Sequence, residues 1–94
     1  MSGVKDYFFC IYISGISKEN QEIILKFKGL ANKKLSGRYF LEVIDILEHP
    51  ELAKKKQIMV TPTIIKEKPN PVQKAILDFT SAEKLEQGMR KLLK

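Results

Sequence analysis

The chain has 94 residues, 44% hydrophobic and 30% charged, enough for one domain over residues 1–94 with a single modest core. Its longest apolar run, residues 7–13, is far short of the roughly 18–20 residues that span a bilayer, and Asp6 just ahead of it sets aside a secretory signal. The net charge of +6 invites a nucleic-acid partner, but only two of the 17 basic residues are arginine and no aromatic platform interleaves with them; the expectation is a cytoplasmic protein without nucleic acid or membrane.

Residues 5–14 alternate on two apolar rows: Tyr7, Phe9, Ile11 and Ile13 on one, Phe8, Cys10 and Tyr12 on the other. Both rows being apolar predicts a central strand covered on both sides. Ser14-Gly15 ends it, and Ser17 caps a helix whose stripe is Ile24, Phe27, Ala31 and Leu35. Glu19 and Glu22 near its start and Lys33 and Lys34 near its end suit the helix dipole. Ser36-Gly37 stops it. A second strand follows over residues 39–47, with Phe40, Glu42 and Ile44 on one side. Strand, helix and strand with short connections make a right-handed unit with parallel strands.

Pro50 suits the first position of a short helix over residues 50–57, with Leu52 and Ala53 turned inward. A third strand begins at Thr61-Pro62-Thr63 and runs to residue 66. Proline is unusual there because it brings no N–H to a ladder. Pro69-Asn70-Pro71 is a rigid turn. Residues 72–79 are read as a fourth strand, although their pattern scores nearly as well for a helix. Thr80-Ser81-Ala82-Glu83 reads as a capping box before a last amphipathic helix carrying Leu85, Met89, Leu92 and Leu93. Gly88 sits inside that helix at a cost of about 1 kcal/mol relative to alanine.

The order β-α-β-α-β-β-α resembles the thioredoxin-like α/β fold, in which a proline preceded by a cis peptide bond opens the third strand; Pro62 stands at that place. The chemistry of that fold is missing. A redox enzyme of this kind needs a low-pKa thiolate at the start of the first helix, where this chain has Ser14-Gly15-Ile16-Ser17. Cys10, the lone cysteine, lies mid-strand and excludes an internal disulfide. Ser17 is read as a cap, His49 as a residue beside a helix start, and Asp45 has no carboxylate partner in its strand neighbourhood. No phosphate loop, zinc spacing or nucleophile elbow is present, so neither cofactor nor metal is expected. The chain is read as a non-enzyme that acts by binding; a redox or detoxifying enzyme is the alternative.

The residues 43–84 closely resemble the KaiB family. That family shows a VIDVL-x-x-P-x-L-A run, then I-x-x-TPTL, a proline-rich turn, an I-x-DLS-type segment and a final helix. Here these read Val43-Ile44-Asp45-Ile46-Leu47, Pro50, Leu52-Ala53, Ile58, Thr61-Pro62-Thr63, Pro69 with Pro71, and Leu77-Asp78-Phe79-Thr80-Ser81. Ile11-Tyr12-Ile13-Ser14-Gly15 matches the family's L-Y-V-A-G, so the likeness covers roughly residues 5 to 93. The resemblance implies a regulatory binding module that docks on KaiC, a hexameric RecA-type ATPase, in a clock-like or stress-adaptation system. It implies a homo-oligomer, dimer or tetramer. It also implies an alternative C-terminal half in some members, with Pro62, Pro69 and Pro71 as switch prolines; this chain is expected to favour the thioredoxin-like state. The family's partner surface corresponds to Phe40, Glu42, Gln57 and Ile58, and its switch positions to Thr61, Pro62, Thr63, Pro69, Pro71, Gly88 and Arg90. Glu42 and Gln57 stand where the family commonly has lysine, Glu22 replaces a basic residue and Arg90 an acidic one. Exchanged charges on such a face select a different signalling partner as readily as they retain the old one.

Overall fold

The computed structural model describes residues 6–93. Seven elements follow in order: β1 (Tyr7–Ile13), α1 (Lys18–Leu35), β2 (Tyr39–Asp45), α2 (Pro50–Lys55), β3 (Thr63–Lys68), β4 (Gln73–Ala75) and α3 (Ala82–Leu92). The sheet order is β2-β1-β3-β4. β1 runs parallel to β2, with Tyr7 opposite Tyr39 and Ile13 opposite Asp45. It runs antiparallel to β3, with Ile11 opposite Ile64. The doubly apolar strand is therefore central, as its two rows predict.

Each row feeds its own core. Phe9, Ile11 and Ile13 meet Phe27, Ala31 and Leu35 of α1 and Leu85, Met89 and Leu92 of α3. The Phe9 and Phe27 rings lie edge to face with centroids 5.3 Å apart, a geometry that adds to simple burial. Cys10 and Tyr12 turn the other way, onto Ile44, Ile65 and the partly buried Phe8, Ile46, Leu52 and Ile58. Among the described residues, α2, its exit and Ile46 ahead of it cover that second face.

The boundaries differ from the sequence reading in four places. β2 stops at Asp45 rather than residue 47, because the Asp45 carboxylate turns back to accept from the Leu47 N–H at 3.0 Å. α2 stops at Lys55 rather than residue 57, because Gln57 takes a left-handed φ of 56°. β3 begins at Thr63, one residue after Pro62, and extends to Lys68. β4 covers three residues rather than 72–79, and no helix forms there. Further on, the Asp78 carboxylate accepts from both the backbone N–H (2.8 Å) and the hydroxyl of Thr80, which shapes the approach to α3. The N-cap of α3 is Ser81, its Oγ accepting from the Lys84 N–H at 3.1 Å. The expected capping box does not form: three residues after the Ser81 cap stands Lys84, which has no acceptor to return the bond. The peptide bonds before Pro62, Pro69 and Pro71 are all cis.

Candidate partner-binding face

At the start of α1, where a thiol enzyme keeps its nucleophile, the side chains shape a loop. Ser17 Oγ accepts from the Asn20 N–H at 3.1 Å, the cap expected of it. Asn20 Nδ2 donates to the carbonyls of Ser14 (3.2 Å) and Gly15 (2.7 Å). Asp45 Oδ1 accepts from the Gly15 N–H at 2.8 Å as well as from Leu47, so one carboxylate ties the β1–α1 loop to the β2–α2 loop. Gly15 has φ +88°, a conformation that favours glycine.

Cys10 lies one layer down, 5% exposed, with its Sγ donating to Glu42 Oε1 at 3.9 Å. Burial, followed by the carboxylates of Glu67 and Glu42, pushes its thiol up to about 11. The neighbouring Tyr12 phenol is pushed up to about 12, mainly by burial. A thiol held protonated at neutral pH is a poor nucleophile. His49 is exposed, 3.6 Å from the Glu51 carboxylate, and makes no cap to α2. Among the described residues no cluster of His, Cys, Asp and Glu has the grouping to hold a metal ion.

Of the four candidate partner residues, Phe40 and Glu42 lie on the face of β2 that carries Ile44, and Ile58 packs on the core beneath it. Phe40 and Glu42 alternate with the buried Ile44 along β2, so all three turn toward α2. β2 pairs only with β1, and its other edge carries no strand among the described residues. Phe40 is 60% exposed on this face. Gln57 is exposed where the chain leaves α2, while Ile58 is half-buried and packs on the second core.

Three apolar side chains that the sequence reading passed over extend the exposed surface: Leu47, Met59 and Val60, with Met59 90% exposed. The signal was present, since Met59-Val60 joins a helix end to Pro62 and belongs to neither periodic pattern. Thr63 Oγ1 donates to the Val60 carbonyl at 2.6 Å, shaping the turn into β3. Pro69 and Pro71 lie in the exposed β3–β4 turn. Gly88 and Arg90 sit on α3, across the sheet from α2. A Cβ at Gly88 would lie 2.7 Å from Leu77 Cδ2, so the glycine admits Leu77 to the larger core. Arg90 is exposed, 4.0 Å from Glu86.

The KaiB domain model matches residues 10–91. The chain belongs to the KaiB family. It is 39% identical to the circadian clock protein KaiB3 of Synechocystis sp. over 79 residues, covering 84% of this chain and 78% of that one. The circadian clock oscillator protein KaiB of Microcystis aeruginosa is 34% identical over 85 residues, or 90% and 82% of the two chains. Among solved structures, the N-terminal domain of Synechococcus elongatus SasA superposes with a TM-score of 0.73 at 17% identity, over 98% of this chain and 84% of that one. The germline thioredoxin Deadhead of Drosophila melanogaster gives 0.67 at 20% identity, over 94% and 82%. At such identities these likenesses speak for the fold, which is thioredoxin-like. None of the helices is long and apolar enough to cross a membrane among the described residues.

Proposed function

We propose that this KaiB-family protein is a non-catalytic regulatory binding module that docks on a KaiC-like RecA-type ATPase in a clock-like or stress-adaptation system. One observation carries the reading: a KaiB-family sheet in which the thiol position ahead of α1 is occupied by a serine cap, while apolar side chains stand exposed on and beside the α2 face. A surface of that kind, with Phe40, Leu47 and Met59 in solvent, suits partner docking. The sole thiol is buried and held protonated, which argues against the redox or detoxifying alternative. Docking uses Phe40, Glu42 and Gln57, with Ile58 supporting the surface from below. Self-association into a dimer or tetramer belongs to the same reading, and the open edge of β2 favours it.

The test is affinity co-purification of the tagged protein from its own organism, with ATP and then with ADP present. Recovery of a KaiC-like ATPase is the expected result, and its nucleotide dependence reports which state is recognised. Recovery of a different signalling protein in its place would mean that the altered charges at Glu42 and Gln57 have redirected the module. Light scattering on the purified chain reads the oligomeric state directly.

A further inference from the structure

α2 ends in a Schellman motif. The Ile58 N–H donates to the Ala53 carbonyl at 2.8 Å, and the Gln57 N–H to the Lys54 carbonyl at 3.2 Å. The residue at the turn of this motif adopts the left-handed conformation and is usually glycine, sometimes asparagine. Here it is Gln57, with φ +56°. A side chain in that region persists when surrounding contacts hold it. Ile58 and Leu52, at the two positions whose apolar contact commonly accompanies the motif, both pack on the second core.

Beyond the carbonyls the motif satisfies come those of Lys55, Lys56 and Gln57, and the last two have a shared partner. Both are met from another element. Lys74 Nζ, on β4, donates to the Lys56 carbonyl at 2.9 Å and to the Gln57 carbonyl at 2.9 Å. An ammonium at a helix C-terminus is favourable, and its bonds to carbonyl oxygens are charge-assisted. β3 adds a second tie on the same side, where Lys56 Nζ stands 3.4 Å from the Glu67 carboxylate.

We infer that Lys74 is a positioning residue for the partner-binding face. By clamping both carbonyls it holds Gln57 left-handed and sets where Gln57, Ile58 and Met59 stand relative to the sheet. The exit of α2 is thereby tied to β4, a strand that lies two places away from β1 in the sheet and contributes no residue to the proposed docking face. The significance for binding rests on the docking reading above; the clamp itself does not.

The test compares Lys74→Gln, Lys74→Arg, Gln57→Gly and the double variant Lys74→Gln with Gln57→Gly, by amide hydrogen exchange on the free protein. Lys74→Gln is expected to speed exchange of the Ile58 amide about tenfold while the Ile11 amide in β1 is unchanged, the mark of local opening. Lys74→Arg keeps a cation with several donors and retains the protection. In the Gln57→Gly background the left-handed turn needs no clamp, so Lys74→Gln changes Ile58 exchange by less than about threefold. An unchanged Ile58 rate in Lys74→Gln would overturn the inference. So would an equal rise at Ile11, or an undiminished effect in the glycine background.

A second arm measures affinity for the ATPase recovered above. Lys74→Gln is expected to weaken it about fivefold, and Lys74→Arg to leave it near the parent value. Weaker binding with unaltered exchange would make Lys74 a direct contact and defeat the positioning role. If the parent protein binds no such ATPase, the docking reading fails and the exchange result still decides the clamp.

Discussion

The two faces of the sheet are built from one strand and differ in thickness. On one side Phe9, Ile11 and Ile13 lie under an 18-residue and an 11-residue helix, with Phe9, Phe27 and Met89 at 0% exposure. On the other, Cys10 and Tyr12 lie under a 6-residue helix that buries none of its own residues completely. The first face holds the fold together. The second is just covered, and its surroundings leave Phe40, Leu47 and Met59 in solvent. With the proposed docking face on the thinner side, a substitution on either side of the sheet has a different expected signature.

The sharpest way to break this comparison is to empty one face at a time. Phe27→Ala leaves a void against Phe9, and a loss of about 3–5 kcal/mol is expected in urea unfolding. Ile44→Ala, beneath α2, is expected to cost about 2 kcal/mol, because a thin, partly wet layer collapses or hydrates more readily. Equal losses at the two positions would show that the faces contribute alike and would remove the division drawn here. Phe40→Ser supplies the complementary signature. Partner affinity is expected to fall about tenfold, by calorimetry or pull-down, with the unfolding midpoint essentially unmoved.

The buried thiol gives a pH signature. The folded Cys10 is raised from 9.0 to about 11, so the folded state keeps a proton that the unfolded state releases first. Its contribution to stability is whole below about pH 9 and declines as the pH rises through about 11. Tyr12, raised from 10.0 to about 12, extends the decline to higher pH. Unfolding followed between pH 8 and 11 should show this loss on the alkaline side, and Cys10→Ala should reduce it. Native alkylation at pH 8 should be far slower than in denaturant; rapid native labelling would contradict the burial. The smallest effect is expected at Lys34→Ala. The Lys34–Glu86 pair joins α1 to α3 at 3.0 Å but is partly exposed, and such pairs contribute under about 1 kcal/mol.

Much of this was legible along the chain because the signals are local. The double apolar row of β1 announces a central strand, since any strand apolar on both sides needs two covers. Ser17 announces a helix start, since a hydroxyl there meets an orphan N–H within three residues. The fourth strand was harder to read. Ala75, Leu77 and Phe79 alternate as a strand would, yet only Ala75 joins the ladder, opposite Ile64, while Leu77 and Phe79 pack on the larger core. The α3 cap likewise falls on Ser81 rather than Thr80, its Oγ accepting from the Lys84 N–H. The residues after β4 pack on the larger core instead of extending the ladder, which periodicity does not register.

The sequence alone determined the fold class, the order of the elements, the position of Pro62 ahead of β3 and the absence of a thiol ahead of α1. Each follows from spacing or residue type within a few positions. Only the tertiary structure decided that Phe40, Glu42 and Ile58 stand on the α2 side of the sheet while Gly88 and Arg90 stand across it. Only it showed Asp45 joining two loops 30 residues apart, and Lys74 closing the end of a helix 17 and 18 residues earlier. The physical reason is that a lysine or an aspartate carries no mark of its acceptor or donor in the chain. Its partner is chosen when packing brings a particular backbone end within reach.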